Sequence, residues 1–352
     1  MTKFVKGNEA VVIGALYAGC DVYFGYPITP ASEIVHAAAR WFPAVGREFL
    51  QAECETASIN MVYGAACAGC LAMTATSGPG MSLMQEGISY MAGANLPGVI
   101  VNIMRAGPGL GNVYPEQGDY NQSVKGGGHG NYRCVVLAPA SVQEMCDLTI
   151  CAFELSFKYL TPAIVLSDGL LGQMMETLTL PEVQSVRPET DAWAVRGTAA
   201  TRRNLITSIY LDAATLEEHN LQLQKKFEAM SEDARHESYL CEDAALILVA
   251  YGISSRIART AAEILRAEGF KVGVFRPVTL SPFPAEAMCA ALAGRQVLVV
   301  ELSAGQFRDD VVFHLASEGK RHQEINLCKR MGGVVITVDE VVAAARAIMP
   351  GN

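Results

Sequence analysis

A rigid turn and a nearby pair of acids are the residues of this sequence whose types and spacing best suit chemistry. The turn is Tyr26-Pro-Ile-Thr-Pro30, which ends a hydrophobic strand-like segment, and its prolines restrict the backbone. The acids, Glu53 and Glu55, follow the next strand-like segment and open an Ala-rich stretch. The pattern predicts a carboxylate held beside a fixed turn. The alternative is that both acids only favour a helix N-terminus through its dipole.

Arg105 is the third residue of interest. It ends the apolar segment 99–104 and begins a Gly-rich loop. Ligands of parallel sheets lie beyond the strand ends, and the planar guanidinium fork suits a carboxylate. We therefore expect Arg105 to bind an anionic group. A surface arginine at a strand end is the other interpretation.

Four further polar residues lie in or near the same segments. Thr29 is predicted to cap a helix that begins at Pro30, and its hydroxyl has a second lone pair for a ligand. His129, in a Gly-rich run, is either a general acid or a loop residue held by backbone bonds. Asp119 and Gln117 share the loop that follows the arginine.

Composition limits the function classes. The 352 residues can form two or three domains. The mean hydropathy of +0.22 and 51% hydrophobic residues fit either large subunit interfaces or an Ala- and Gly-rich core. The net charge of −9 and the lack of a basic cluster argue against nucleic acid. The ten cysteines lie mostly in apolar segments, which favours a reducing cytoplasm, and no apolar run could span a membrane.

Alternating helix-like and strand-like segments predict an α/β fold with parallel sheets covered on both faces. In the first half, the predicted strands are 21–26, 47–52, 71–76, 98–104, 133–138 and 162–167. The predicted helices there are 8–19, 30–41, 54–69, 81–93 and 141–157. The stretch 106–131 is Gly-rich and lacks periodicity, so we predict an active-site loop.

The second half divides into two parts. Residues 181–243 carry charge runs and are predicted to be a linker or arm with one polar helix near 214–232, which leaves 1–180 as the first domain. A second α/β domain is predicted over 244–352. Its predicted strands are 245–251, 271–275, 296–302 and 333–338, and its predicted helices are 254–268, 284–293, 307–318 and 339–348.

Several motifs resemble the α-type subunit of the thiamine-diphosphate-dependent 2-oxoacid:ferredoxin oxidoreductases. The family signature stands intact at Tyr26-Pro-Ile-Thr-Pro30. The other matching segments are 64–69, 74–80, 85–87, 102–105, 115–119 and 126–130. The resemblance covers 7–180 by motif and 244–349 more by pattern. It implies two doubly wound parallel-sheet domains, a pyrimidine-binding domain followed by a transketolase C-terminal-like domain.

The resemblance also implies roles for individual residues. Glu55 would bond the ring nitrogen N1′ of thiamine diphosphate and hold a proton there, and counting back nine residues from Gly64 selects it over Glu53. Thr29 and Arg105 would bind the carboxylate or keto oxygen of the substrate. The implied cofactor-binding residues are Pro27, Ile28, Thr29, Glu55, Ser77 and Gly78. The implied substrate-binding residues are Thr29, Arg105, Asn112 and Gln117.

Some expected motifs are missing from the sequence. It has no Gly-Asp-Gly followed by asparagine at the family spacing, so the resemblance implies that a beta subunit binds the diphosphate and its magnesium. Gamma and ferredoxin-like delta subunits would complete the assembly, with iron–sulfur clusters on the partners. Cys67 and Cys70 form a lone Cys-x-x-Cys that we predict only to pack. No Gly-x-Gly-x-x-Gly supports a nicotinamide enzyme. The chain is thus predicted to carry half of an active site and no metal.

The reaction that the resemblance implies is oxidative decarboxylation of a 2-oxoacid, with coenzyme A as acyl acceptor and ferredoxin as electron acceptor. The segments 24–30, 85–90 and 107–112 look most like the 2-oxoisovalerate branch. The alternative is 2-oxoglutarate, whose second carboxylate Lys125 or a partner could pair. No second cation lies between residues 105 and 119.

Two rival functions come from other classes. A stand-alone thiamine-dependent lyase would need the missing diphosphate motif in the same chain. A non-catalytic assembly subunit that kept the fold would be expected to have lost Glu55, Thr29 or Arg105, and all three are present.

Overall fold

The computed structural model describes residues 1–182, 185–319 and 324–349. Residues 1–182, the first unit, contribute most of a seven-stranded sheet, and residues 236–349, the second unit, form a five-stranded sheet. Helices pack against both sheets, so the α/β fold class predicted from the sequence is confirmed. No helix in these described ranges is long and apolar enough to cross a bilayer.

The secondary structure elements follow one another with short connections in the first unit. Its strands are β1 (Thr2–Lys6), β2 (Val22–Gly25), β3 (Glu48–Gln51), β4 (Ala72–Thr76), β5 (Gly98–Met104), β6 (Val135–Leu137), β7 (Pro162–Asp168) and β8 (Met175–Thr179). Its helices are α1 (Gly7–Tyr17), α2 (Ser32–Ala44), α3 (Glu55–Cys67), α4 (Pro79–Gly93), α5 (Tyr120–Val124), α6 (Val142–Tyr159) and α7 (Gly169–Gln173).

The remaining elements belong to the arm and the second unit. Helix α8 (Ala213–Ala229) is the polar helix predicted near 214–232. The later strands are β9 (His236–Tyr239), β10 (Leu246–Val249), β11 (Val272–Pro277), β12 (Thr279–Ser281), β13 (Gln296–Glu301) and β14 (Ile325–Lys329). The later helices are α9 (Gly252–Ala267), α10 (Ala285–Leu292), α11 (Gln306–Ser317) and α12 (Val338–Ile348).

The larger sheet has the order β12-β6-β7-β5-β4-β2-β3, and all of its pairings are parallel except β12 with β6. Its central strand β5 is apolar except for Asn102, and every residue of the strand is buried. Such apolar runs are typical of parallel strands covered on both faces. The parallel arrangement brings the carboxyl ends of β5, β4, β2 and β3 side by side at one edge.

The smaller sheet has the order β14-β13-β10-β11-β9, with β9 as an antiparallel edge. Strands β1 and β8 form a separate antiparallel pair. Each sheet takes one edge strand from outside its predicted domain. Strand β9 comes from residues assigned to the arm, and β12 from the second unit completes the sheet of the first. The domain bounds 1–180, 181–243 and 244–352 therefore stay a prediction.

Two local predictions are wrong. The predicted strand 333–338 is irregular up to Thr337, and the fourth parallel strand is β14, which pairs with β13. The reason is that Gly332 and Gly333 adopt positive φ angles of 69° and 89° and turn the chain out of the sheet. The helix predicted from Pro30 begins at Ser32 instead, because Ile28 and Ala31 close a turn before it.

Candidate active site

The sequence-predicted site residues follow the ends of four neighbouring parallel strands. The turn at 26–30 follows β2, Glu55 follows β3, the turn at 77–80 follows β4 and Arg105 follows β5. The carboxyl edge of a parallel sheet is where such folds bind ligands. The topology thus brings together at one edge residues that lie up to 79 positions apart in the sequence (105 − 26).

Glu55 is the first residue of α3, and it is buried with 5% of its surface exposed. Within the described residues, its carboxylate accepts no hydrogen bond from the chain. Glu53, two residues earlier, is exposed. A buried carboxylate without a protein donor is costly unless a ligand supplies one. Of the two acids, Glu55 therefore has the environment of a ligand-binding residue.

The turn at 77–80 shapes the space beside Glu55. A Cβ atom on Gly80 would lie 2.6 Å from the Oε1 atom of Glu55 and 2.1 Å from the Oγ1 atom of Thr76, so only glycine fits there. Gly78 has a φ of +43°, which side chains other than glycine rarely adopt. The buried hydroxyls of Thr76 and Ser77 have no partner among the described residues.

Arg105 also lies next to the turn at 77–80. Its Nη1 donates to the carbonyl of Thr29 (2.8 Å) and its Nη2 to the carbonyl of Leu110 (3.1 Å). A Cβ on Gly78 would lie 3.4 Å from the Cγ atom of Arg105. The buried Nε–H has no partner in the described part of the chain. Of the five N–H donors of arginine, one on each Nη therefore remains for an anion.

Asp119 lies beside Arg105, although sequence reasoning had given it no definite role. Its carboxylate accepts a bond of 3.0 Å from the side-chain amide of Asn102, and the backbone N–H of Gly78 acts to lower its pKa. Burial raises the pKa of Asp119, and the charge of Arg105 opposes that rise. Asp119 therefore ties the end of β5 to the turn that follows β4.

Most residues of the turn at 26–30 are exposed. Tyr26, Pro27 and Thr29 are exposed, and Ile28 is half-buried. The predicted helix cap at Thr29 is wrong, because α2 begins after Ala31 and has no side-chain cap. The Thr29 hydroxyl is left for a ligand.

Two predicted substrate ligands point elsewhere. Gln117 is fully buried, and its side-chain amide bonds Tyr251, Ser254 and Leu302 of the second unit. The amide of Asn112 bonds the carbonyl of Gly332 (3.0 Å) and the N–H of Tyr114 (2.9 Å). The structure therefore brings Glu55, Thr29, Arg105, Ser77 and Gly78 together, but not these two amides.

His129 and Lys125 also lie away from the site. The carbonyl of exposed His129 accepts a bond of 2.5 Å from Ser89. Ser89 is nine residues beyond Gly80 on α4, a distance of roughly 14 Å along the helix. Lys125 pairs with buried Asp310 and lines a cleft of about 1520 Å³ between α8 and α11. That cleft contains none of the predicted catalytic residues, so its size does not mark the active site.

Some residues around the site were missed from the sequence. Buried Asn8 on α1 donates to the carbonyl of Pro30 (2.8 Å) and to Glu33 (3.1 Å), which fixes the turn at 26–30. A lone asparagine in the apolar helix α1 was the available signal. The sequence predicts no individual role for Thr76, Gly80 or Glu116, because the spacing of neighbouring residues does not show which atoms they contact.

The cysteines form no metal or redox centre in the described ranges. All ten are free thiols, and no group of three or more His, Cys, Asp or Glu residues there could hold a metal. Burial raises the pKa of both Cys67 and Cys70, so their thiols stay protonated at neutral pH. That this Cys-x-x-Cys only packs stays a prediction.

Two family models match the chain. The first is described as pyruvate flavodoxin/ferredoxin oxidoreductase, thiamine diphosphate-binding, and it matches residues 13–239. The second, pyruvate:ferredoxin oxidoreductase core domain II, matches residues 244–341. Together they span both units.

Relatives of known name share much of the sequence. Ketoisovalerate oxidoreductase subunit VorB of Methanothermobacter marburgensis is 59% identical over 350 residues, which cover 99% of this chain and 98% of the relative. 2-Oxoglutarate synthase subunit KorA of Archaeoglobus fulgidus is 43% identical over 315 residues, 88% of this chain and 90% of the relative.

Solved structures show the same fold. 2-Oxoglutarate:ferredoxin oxidoreductase from Magnetococcus marinus superposes with a TM-score of 0.88 at 27% identity over 98% of this chain. The present chain spans only 65% of the length of that one. A split-gene transketolase, an inactive beta4 tetramer, superposes with a TM-score of 0.62 at 15% identity over 97% of this chain and 96% of its own. This second likeness shows the transketolase-like fold alone.

Proposed function

This chain belongs to the pyruvate flavodoxin/ferredoxin oxidoreductase family, and from that premise we propose that it is the α-type subunit of a 2-oxoisovalerate:ferredoxin oxidoreductase. The complex would convert a branched-chain 2-oxoacid and coenzyme A to acyl-CoA and carbon dioxide, with ferredoxin reduced. Support for the substrate comes from the 59% identity to a ketoisovalerate oxidoreductase subunit over nearly the whole length of both chains.

The observation that carries this proposal is buried Glu55, whose carboxylate accepts no hydrogen bond from the described residues, at the same sheet edge as Thr29 and Arg105. Glu55 would accept a hydrogen bond from N1′ of the pyrimidine ring and hold the proton there. Ser77 and Gly78, with Pro27 and Ile28 opposite, would line the ring. When bound, thiamine diphosphate supplies the carbon chemistry of decarboxylation.

The substrate would lie between the cofactor and Arg105. The remaining N–H of each Nη of Arg105 would bind the 2-oxoacid carboxylate, and the hydroxyl of Thr29 would donate to the carboxylate or keto oxygen. The bonds of Arg105 to two main-chain carbonyls hold its guanidinium plane in place before substrate arrives. Such preorganisation favours catalysis because little reordering is needed on binding.

The rest of the active site would come from other subunits. We propose a beta subunit that binds the diphosphate and magnesium, a gamma subunit, and a ferredoxin-like delta subunit, with iron–sulfur clusters on the partners. With its cysteines all unpaired, the complex is expected to work in the cytoplasm.

The second candidate substrate is 2-oxoglutarate, which appears in the names of two relatives that are 43% and 27% identical to this chain. It needs a cation for its distal carboxylate. Lys125 is a poor choice, because it is paired with Asp310 and lines the cleft between α8 and α11. A partner subunit would have to supply that cation.

The test is a substrate comparison with the assembled complex. Ferredoxin reduction would be followed with coenzyme A and either 2-oxoisovalerate or 2-oxoglutarate. We expect kcat/KM to be at least tenfold higher for 2-oxoisovalerate. The opposite preference would select the second candidate, and no turnover of any 2-oxoacid would reject both.

A further inference from the structure

The segment 112–121 is hydrogen-bonded along its length to the second unit. Asn112 donates to the carbonyl of Gly332, and the N–H of Gln117 donates to the carbonyl of Leu302 (2.7 Å). Gln306 then bonds both the carbonyl of Gly118 (2.7 Å) and the N–H of Asn121 (2.9 Å). A loop of the first unit is therefore held by the second unit as well as by its own.

Gln117 inserts where the second unit would otherwise bind a ligand. Strands β10 and β13 lie side by side, and the chain leaves them in opposite directions, which in α/β sheets creates a binding crevice at their carboxyl ends. The Nε2 of Gln117 donates to the carbonyl of Tyr251 after β10 (3.0 Å). Its Oε1 accepts from Leu302 after β13 (2.8 Å) and from Ser254 on α9 (2.9 Å). The crevice thus holds a side chain of the first unit.

Glu116 joins two loops through its two carboxylate oxygens. Oε2 accepts from the N–H of Gly107 (2.8 Å), and Oε1 accepts from the N–H of Gly332 in the second unit (2.9 Å). Only 6% of Glu116 is exposed. Bonds from N–H donors to a buried carboxylate are stronger than those between neutral groups. Glu116 therefore links the loop at Gly107 to the second unit at Gly332, and we call these two hydrogen bonds the clamp.

The clamped loop is the one that holds Arg105. Residues 107–112 fold back so that Asn112 N–H bonds the carbonyl of Ala106 (3.0 Å) and the carbonyl of Leu110 accepts from Arg105 (3.1 Å). Gly107, the partner of Glu116, is two residues from Arg105. Movement of this loop would shift one of the two carbonyls that orient the guanidinium.

We propose that Glu116 is a positioning residue through which the second unit sets the place of Arg105, an inference that rests on the proposed function. The second unit then contributes to substrate binding without touching substrate. Its crevice, filled by Gln117, serves to hold the segment that carries Glu116 rather than to bind a small molecule.

The first test measures hydrogen exchange in the full-length chain carrying Glu116→Gln. Glutamine has the same shape, but its NH2 group faces one of the two N–H donors, so one bond of the clamp is lost. Backbone amides in 106–112, in 330–334 or in both should exchange at least fivefold faster than in the unmodified chain, according to which N–H loses its acceptor. The matched control is Glu154→Gln, an exposed acid on α6, which should leave both segments unchanged. Unchanged exchange in both segments of Glu116→Gln overturns the clamp.

The second test uses the assembled complex. With Glu116→Gln, KM for the 2-oxoacid should rise at least fivefold while kcat changes less than twofold, because the loss falls on substrate binding. An unchanged KM, or a loss confined to kcat, overturns the positioning role even where exchange is faster. If the unmodified complex turns over no 2-oxoacid, the proposed function fails separately. The exchange experiment then decides the clamp, and without a substrate for Arg105 to bind the positioning role is rejected.

Discussion

At the scale of single residues, burial separates two acids that are close in sequence. Glu53 is exposed, whereas Glu55 is buried beside Gly80 and two unpaired hydroxyls. The choice of Glu55 from its spacing to Gly64 stays a prediction, and its environment supports it. The same environment makes the fit around Glu55 testable without altering any acid.

We expect Gly80→Ala to displace the Glu55 carboxylate, because the added methyl would lie 2.6 Å from its Oε1 atom. A misplacement of about 1 Å lowers turnover by roughly 10²-fold. The control is Gly64→Ala on α3, where the added carbon meets nothing within 4 Å. The measurement is kcat of the assembled complexes. Equal kcat values for the two variants would contradict the proposed position of Glu55.

Arg105→Lys tests the use of the guanidinium fork. Lysine keeps the charge but cannot bond the carbonyls of Thr29 and Leu110 while also binding a carboxylate in two places. KM for the 2-oxoacid should rise by about tenfold or more, with the affinity for thiamine diphosphate nearly unchanged. Steady-state kinetics with cofactor titration would measure both. Equal losses of the two affinities would count against a role in binding the substrate carboxylate.

At the scale of elements, helix α8 is held on the first unit by a half-buried lysine. Lys226 donates to the side chain of Asn95 (2.6 Å) and to the carbonyl of Leu160 (3.0 Å). Burial lowers its pKa to about 8, and the nearby Cys134 opposes that shift. The unfolded chain, with an ordinary lysine pKa of about 10.4, binds more protons between these values.

Stability attributed to Lys226 should therefore rise with pH between about 8 and 10. The difference in free energy of unfolding between the unmodified chain and Lys226→Met should grow by at most ~1.4 kcal/mol per pH unit in this window, and stay constant below it. Urea unfolding at several pH values would measure it. The control is Lys225→Met, which replaces the exposed neighbouring lysine. Its difference in free energy of unfolding from the unmodified chain should not vary with pH. A flat difference for Lys226→Met would contradict this account.

Local patterns in the sequence predicted most elements of both sheets, because continuous apolar strands and amphipathic helices are visible in short windows. Long-range pairing was not visible. Strand β1 pairs with β8, and β12 pairs with β6, in each case across 142 residues (279 − 137) or more. The apolar run 334–336 looks like a strand, but the two preceding glycines turn it away. The mixed-polarity strand β14 takes its place beside β13.

The sequence predicted the part of the candidate site that follows strand ends, but not the partners that are distant along the chain. Glu55, Thr29 and Arg105 stand next to strand ends, so the parallel topology brings them together as predicted. Gln117 was expected at the substrate because it shares a loop with Arg105 and Asp119. It is instead part of the junction between units, since its partners Tyr251 and Leu302 come from strands that no local pattern links to it.

At the scale of the whole molecule, the proposed function divides the cofactor site between this chain and a partner subunit. The chain should therefore bind thiamine diphosphate weakly on its own, because it lacks the motif for the anionic diphosphate and its metal. Calorimetry on the isolated full-length chain with magnesium should detect no micromolar binding. Tight, magnesium-dependent binding would contradict the division of the site between subunits.

The central claim is that Glu55 of this chain activates thiamine diphosphate within the assembled complex. The most direct measurement is deuterium exchange of the C2 proton of the cofactor in reconstituted complexes. Glu55→Gln keeps the side-chain size but removes the charge, so exchange should slow by roughly 10²–10³-fold while cofactor binding survives. Glu53→Gln, the matched exposed acid, should exchange like the unmodified complex. Slow exchange with Glu53→Gln and normal exchange with Glu55→Gln, or normal exchange with both, would contradict the account.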